Sequence, residues 1–402
     1  MTYFMTDAST GITIPADRKE IDRRIVAMRE MMEREGVDLL VVVSPSLGGF
    51  RHYFTGAGWA ERNSEGGILL GRCGNVYSVR GAGMIAKGKE ASVDHSREVT
   101  ADRPLFENIV IEDGFHAEGI CDLLGGGHRI GLVNASLVRA DLKEFIEQNV
   151  PEVIWKDVTD ACKTIMSRKS AKEISWMSKV CSMMDKIFHR AYTAVKPFVY
   201  ERDIVNELRA AAYELGSGGQ NYLDSAKIHL VSFPDSGAET EEPMTWPGRR
   251  ISSGDRVNIS MYCAGFGNYC GTLSRSFVIG KACRKTKDMW NVAKKAQEMA
   301  AKMARIGENL KNVAERVNSF LADRGYRKNC RIFLHGIGYT MDEQPKLYER
   351  SESRPLSGQE TLVIEITVGS EGAGYVCCGD VYLVQEEGAV RLTSFPLELV
   401  EL

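Results

Sequence analysis

The chain has 402 residues, 44% of them hydrophobic and 26% charged, with a net charge of −3, which is the makeup of a water-soluble globular protein long enough for two domains. That charge gives no electrostatic reason to expect nucleic acid, and the most apolar run, Val37–Val43, contains Asp38 and is far too short to cross a bilayer. Ten cysteines without a basic-then-apolar leader read as reduced thiols of a cytoplasmic protein.

From Asp17 to Glu35 the apolar residues Ile21, Ile25, Met28 and Met32 fall on one helical stripe, and Gly36 is a natural terminator. Val37–Val43 follows as a strand apolar on both faces, the pattern of a buried strand in an α/β sheet. Gly67–Leu70 and Val76–Val79 flank Cys73-Gly74-Asn75 and predict a hairpin. A strand at Ile109–Ile111, a helix near Glu118–Leu124, the Gly125–Gly127 break, a strand at Ile130–Val133 and a helix near Leu142–Asn149 complete an alternating α/β unit. The glycine triplet lacks the Lys-Ser/Thr of a phosphate loop and reads as a turn. The first domain is expected over residues 1–162 and the second over 163–402.

In the second half, Met166-Ser-Arg-Lys-Ser-Ala-Lys-Glu173 leads into a long helix reaching about Ala194. Amphipathic helices at about 201–215, 284–304 and 308–324 alternate with strand-like blocks, an α+β order.

Four segments of this half carry a pattern: Asn258–Gly280, Phe333–Pro345, Leu362–Gly369 and Tyr375–Val384. They resemble, in order and spacing, the signature segments of the creatinase/aminopeptidase P/prolidase superfamily, the pita-bread hydrolases. Gly36–Val43 and Tyr53-Phe-Thr-Gly56 match its N-terminal domain, so the resemblance covers almost the whole chain. It implies an α/β N-terminal domain followed by an α+β pita-bread catalytic domain. In that family two strand Asp, one His and two strand Glu hold a pair of divalent metals. The aligned positions here read Met261, Thr272, His335, Glu365 and Gly379, so only His335 and Glu365 keep ligand chemistry. No cofactor is therefore expected.

The metal-free creatinase branch offers a template for chemistry without that centre. Glu365 aligns with one of its substrate-binding glutamates, whereas Ser274 stands where the other would be. Its base, a histidine, falls within Thr240–Met244, where Glu241 and Glu242 are the titratable residues; His229 lies too early to match. Glu365, in the apolar strand Leu362-Val-Ile-Glu-Ile, is expected to have its pKa raised toward the general-base range. His335, in Leu334-His-Gly-Ile-Gly338, is its expected acid/base partner.

Side chains two apart on a strand share a face. If Met261 and Thr272 point inward, so do Cys263 and Cys270, and Cys377 shares the face of Gly379. With His335 these thiols would supply a nucleophile or a Cys/His site for a borderline metal, or else simply pack as small hydrophobes. Tyr262, Tyr269 and Tyr339 are candidate oxyanion donors, and Asp342 a candidate group to orient a substrate amine. In creatinase-like dimers the N-terminal domain of one subunit completes the neighbour's pocket, which points to Arg62 as a carboxylate clamp and to a homodimer.

The expectation is a metal-independent hydrolase or lyase acting on a C–N bond of a small polar metabolite. Two alternatives stand beside it: a hydrolase with an altered mononuclear site or residual Xaa-Pro dipeptidase activity, and a catalytically silent domain that binds a ligand or protein. No nucleic-acid or membrane partner is expected.

Overall fold

The computed structural model of the chain describes residues 2–6, 13–44, 50, 53–54, 66–84, 109–115, 120, 123–217, 226–234, 248–347, 354–370 and 374–402. Two compact units divide it, Met1–Ile165 and Met166–Leu402. Among the described residues no helix is long and apolar enough to cross a membrane.

In the first unit, strands β1 (Thr2–Thr6) and β2 (Thr13–Asp17) form a separate antiparallel pair. Helix α1 (Arg18–Glu35) starts where the Asp17 side chain accepts a hydrogen bond from the Lys19 N–H, and it stops at Gly36, whose φ of 68° is left-handed. The predicted apolar stripe is the buried face of this helix, with Ile21, Ile25, Met28 and Met32 inside. The main sheet contains β3 (Leu39–Ser44), β4 (Gly66–Gly71), β5 (Val76–Met84), β6 (Ile109–Phe115), β7 (Arg129–Val133) and β8 (Ile154–Asp157), in the order β6-β5-β4-β3-β7-β8. β4 and β5 form the expected hairpin, with Leu70 opposite Val76. β3 runs parallel to β7 and is sealed by Leu142 and Ile146 of α2 (Ala140–Asn149). The helix expected near Glu118–Leu124 lies mostly outside the described residues.

Helix α3 (Thr159–Ser167) ends just before a capping box, in which the Ser170 hydroxyl accepts from the Glu173 N–H and Glu173 accepts from the Ser170 N–H. That box starts α4 (Ala171–Ala194), so the long predicted helix has its N-terminus set by sequence-local hydrogen bonds. α5 (Glu201–Glu214), α6 (Arg284–Met303) and α7 (Leu310–Ala322) lie close to the predicted spans.

The second unit is built on a nine-stranded sheet of β9 (Ala226–Pro234), β10 (Asp255–Ala264), β11 (Cys270–Val278), β12 (Cys330–Gly336), β13 (Glu343–Lys346), β14 (Thr361–Ser370), β15 (Gly374–Val384), β16 (Ala389–Arg391) and β17 (Val400–Glu401). Its main path is β13-β12-β14-β15-β11-β10-β9. One face is covered by helices. Met289, Ala293, Ala296 and Ala300 of α6 and Leu310, Val313 and Val317 of α7 pack onto Ile332, Leu334, Ile364 and Cys378. The small residues of α6 let the helix approach the sheet closely. α4 covers β11, where a Cβ at Gly271 would sit 2.8 Å from Val180 Cγ1.

The opposite parity of these strands makes the other face. Phe333 pairs with Glu365, Glu365 with Gly379, Gly379 with Ser274 and Ser274 with Ser260, which in turn faces His229. This row of residues crosses six strands on the side away from the helices.

Candidate active site

A cavity of about 990 Å³ opens on that helix-free face. Its wall is polar because the strands place polar residues there at alternate positions. β10 contributes Asn258, Ser260 and Tyr262, and β9 contributes His229 opposite Ser260. β14 supplies Glu365 and Thr367, and β15 supplies Tyr375 and Cys377. The N-terminal end of β12 adds Arg331, with Lys328 just before the strand.

Among the described residues, Glu365 is the carboxylate of this wall. The Ser274 hydroxyl donates to its Oε2 at 2.5 Å. Burial raises its pKa from the ordinary value of 4.5, the Ser274 hydrogen bond offsets part of that, and the charge of Asp380 adds to it. Tyr262 lies in the same wall, and burial together with the Glu365 charge pushes its hydroxyl above the ordinary range, so it is a hydrogen-bond donor at neutral pH. Behind the wall the backbone is tied down. Ser276 Oγ donates to Asn258 Oδ1 at 2.6 Å and accepts from Cys377 N–H at 3.0 Å, while Asn258 Nδ2 donates to the Tyr375 carbonyl at 2.7 Å.

The structure separates the residues singled out from the sequence. Glu365, Tyr262 and Cys377 line the cavity. His335 shares their face of the sheet but is not in the cavity wall; it stands opposite Val363, one repeat along from Glu365. Its Nδ1 is 2.8 Å from the Gly336 carbonyl and 3.6 Å from Asp342 Oδ1, so that nitrogen carries the proton and Nε2 the lone pair. Burial lowers its pKa from 6.5 and keeps the ring neutral. Asp342 points to solvent and pairs with Lys346 at 2.9 Å, outside the cavity wall. Arg62 and the Thr240–Met244 stretch fall outside the described residues.

The cysteine expectation requires correction. Tyr262, not Met261, pairs with Thr272, because the β10–β11 register is offset by one residue from the motif alignment. Met261 and Cys263 therefore face the helices, and the Cys263 sulfur lies 3.0 Å from that of Met184 on α4. Cys270 does share the face of Thr272, but its sulfur is 4.0 Å from the Tyr339 carbonyl, outside the cavity wall. Thr272 is buried beyond the wall as well. Of the three thiols only Cys377 reaches the cavity, and burial with the Glu365 charge pushes it up to about 12, so it stays a thiol at neutral pH. Tyr269 donates to Glu173 Oε1 at 2.5 Å and stacks edge-on against Tyr339, so these two serve packing.

His229 and Arg331 line the cavity and are the side chains that sequence reasoning passed over. His229 seemed too early in the chain for the base of the creatinase template, and Arg331 stood outside every motif. The signal for both is strand parity, which becomes usable only when the pairings Ser260 with His229 and Thr367 with Arg331 are known.

Residues 175–390, more than half of the chain, match the family described as Metallopeptidase family M24. The chain belongs to that family. A Pyrococcus horikoshii protein named Xaa-Pro dipeptidase is 25% identical over 349 residues, covering 85% of this chain and 96% of that one. Among solved structures, dipeptidase PepE from Mycobacterium ulcerans superposes with a TM-score of 0.76 at 18% identity, over 96% of this chain and 99% of that one. A Xaa-Pro dipeptidase from Bacillus anthracis gives 0.74 at 18% identity, over 95% of this chain and 100% of that one. These likenesses show the pita-bread fold of an M24 hydrolase.

The two-metal centre implied by the family resemblance does not fit the residues of this M24 chain. At its five aligned positions, Met261 faces the helices, Thr272 offers a hydroxyl and Gly379 has no side chain. The space beside Gly379 is taken by Glu365: a Cβ there would lie 2.9 Å from Glu365 Cβ, Cγ and Oε2. Among the described residues no group of three or more His, Cys, Asp or Glu is placed to hold a metal ion, and of Cys263, Cys270, Cys377 and His335 only Cys377 lines the cavity.

Proposed function

We propose that this M24 chain cleaves a C–N bond of a small polar metabolite in the cavity of the helix-free face, using Glu365 as acid/base and no two-metal centre. The observation that carries this reading is the position of Glu365. Among the described residues it is the one carboxylate of a cavity wall otherwise made of neutral and basic groups, and its pKa is raised by burial. In a hydrolysis, the Glu365 carboxylate takes a proton as water oxygen bonds to the reacting carbon. The resulting carboxyl then gives that proton to the nitrogen as the C–N bond breaks. In this reading Tyr262, which lines the same wall, donates to an oxyanion developing in the cavity. His229, in the same wall, replaces His335 as the second proton carrier in this reading.

Turnover is to be sought in a panel of amides, guanidino compounds and Xaa-Pro dipeptides, each with and without added divalent metal. Glu365→Gln is expected to abolish it, and His229→Ala to lower kcat by roughly 10²-fold or more. His335→Ala is expected to keep kcat within about tenfold. Full activity in Glu365→Gln would remove the assignment. A second reading, Xaa-Pro dipeptide hydrolysis, is supported by the name of the Pyrococcus horikoshii relative. Dipeptide turnover that appears only with added metal would favour it over the metal-free route. Ligand binding without turnover of any compound would favour a silent binding domain. The proposed reaction also includes a homodimer in which the first domain of one subunit completes the neighbour's cavity, to be checked by sedimentation and by the affinity of Arg62→Ala.

A further inference from the structure

The cavity wall is positively charged at one end, although the chain as a whole carries −3. Arg331 and Lys328 both line it, and among the described residues neither has an ion pair or a side-chain hydrogen bond. Among the described residues the carboxylate of this wall is Glu365, whose Oε2 already accepts from Ser274. The placement of Arg331 follows from register. Arg331 pairs with Thr367 and Phe333 with Glu365, so Arg331 leaves the same face as Glu365, one two-residue repeat away, or about 7 Å along the strand. A planar guanidinium with free N–H groups in a polar cavity is suited to bidentate recognition of an oxyanion. The wall beside it is held rigid by the Ser276–Asn258–Tyr375 hydrogen bonds, which limits the cost of ordering on binding.

We propose that Arg331, assisted by Lys328, binds an oxyanion carried by the substrate, a carboxylate or a phosphate. It thereby holds the bond to be broken one strand repeat away, beside Glu365. The substrate class is thus a small acid whose C–N bond lies a few bonds from its anionic group. The position of the reacting bond rests on the hydrolytic reading above; the anion subsite itself does not.

The test uses the full chain and three probes, N-acetylglycine, its neutral counterpart N-acetylglycinamide, and inorganic phosphate, titrated by ligand-observed NMR at low salt. Wild type is expected to bind one of the two anions at least about tenfold more tightly than the neutral amide, a difference of about 1.4 kcal/mol. Which anion wins distinguishes a carboxylate from a phosphate substrate. Arg331→Ala, a change at an exposed side chain that leaves the fold intact, is expected to erase that preference, while Arg331→Lys keeps part of it and added salt weakens it. Glu365→Gln is expected to bind the anion as wild type does, even if no hydrolysis is ever found, so the subsite and the reaction fail separately. Absence of any anion preference in wild type, or its survival in Arg331→Ala, would overturn the proposal.

Discussion

Glu365 and His335 have opposite effects on the pH dependence of stability, because burial disfavours a charge of either sign. The Glu365 pKa is raised above 4.5 in the fold. Between 4.5 and that higher value the folded state is the more protonated, so its contribution to stability is present below 4.5 and is lost as pH rises. The His335 pKa is lowered below 6.5, so there the unfolded chain is the more protonated, and stability is lost as pH falls through that window. Thermal midpoints measured across this range should therefore fall less with rising pH in Glu365→Gln than in wild type. A variant that tracks wild type at every pH would mean that folding leaves the Glu365 pKa unshifted. The same site holds a steric constraint. Gly379→Ala would push a methyl group against Glu365 and turn its carboxyl away from Ser274, lowering kcat more than it lowers stability.

At the scale of elements, the loop after β12 is held by contacts that glycine alone permits. A Cβ at Gly336 would run into the Gln344 carbonyl oxygen on the neighbouring strand β13, and backbone cannot move aside as a side chain does. Gly336→Ala is expected to cost about 3 kcal/mol and to lower the thermal midpoint. Gly338 is packed against Lys169, whose Nζ lies 2.5 Å from Glu343 Oε2, with exposures of 1% and 5%. Glu343 in turn accepts from the Thr340 N–H at 2.9 Å, so the buried pair holds the loop in shape. Lys169→Met would leave Glu343 buried without its partner, at an expected cost of roughly 3–5 kcal/mol. Calorimetry that found the variant as stable as wild type would show that the loop does not depend on the pair.

At the scale of the molecule, the helix face and the cavity face are joined through one buried centre. Asp380, on the helix side of β15, takes both nitrogens of Arg275, at 2.8 and 3.0 Å, and also accepts from Gln297 of α6 at 2.9 Å and from Thr393 at 2.6 Å. Arg275 adds bonds to the carbonyls of Ser274, Gly379 and Pro396. Although burial alone pulls the guanidinium pKa down, Asp380 holds it above its ordinary value. This network fixes the backbone behind Ser274 and Gly379, and so sets where Glu365 lies. Asp380→Ala leaves Arg275 buried and uncompensated, with an expected loss of about 3–5 kcal/mol in the unfolding of the second unit.

The helices were legible from the sequence because their determinants are local. The stripe from Ile21 to Met32, the Ser170–Glu173 box and the amphipathic periods of α5 to α7 each act within a few residues. The signature segments were enough to point to the M24 fold and to the scarcity of metal ligands among the aligned positions. Which side chains meet in the cavity was decided by strand register, a long-range property. The turn at Phe266–Asn268, with Gly267 at φ 68°, pairs Thr272 with Tyr262 and not with Met261. A shift of one residue reverses every side chain of a strand. It sent Cys263 to the helices, and only the pairing across β9, β10, β12 and β14 brought His229 and Arg331 onto the face of Glu365.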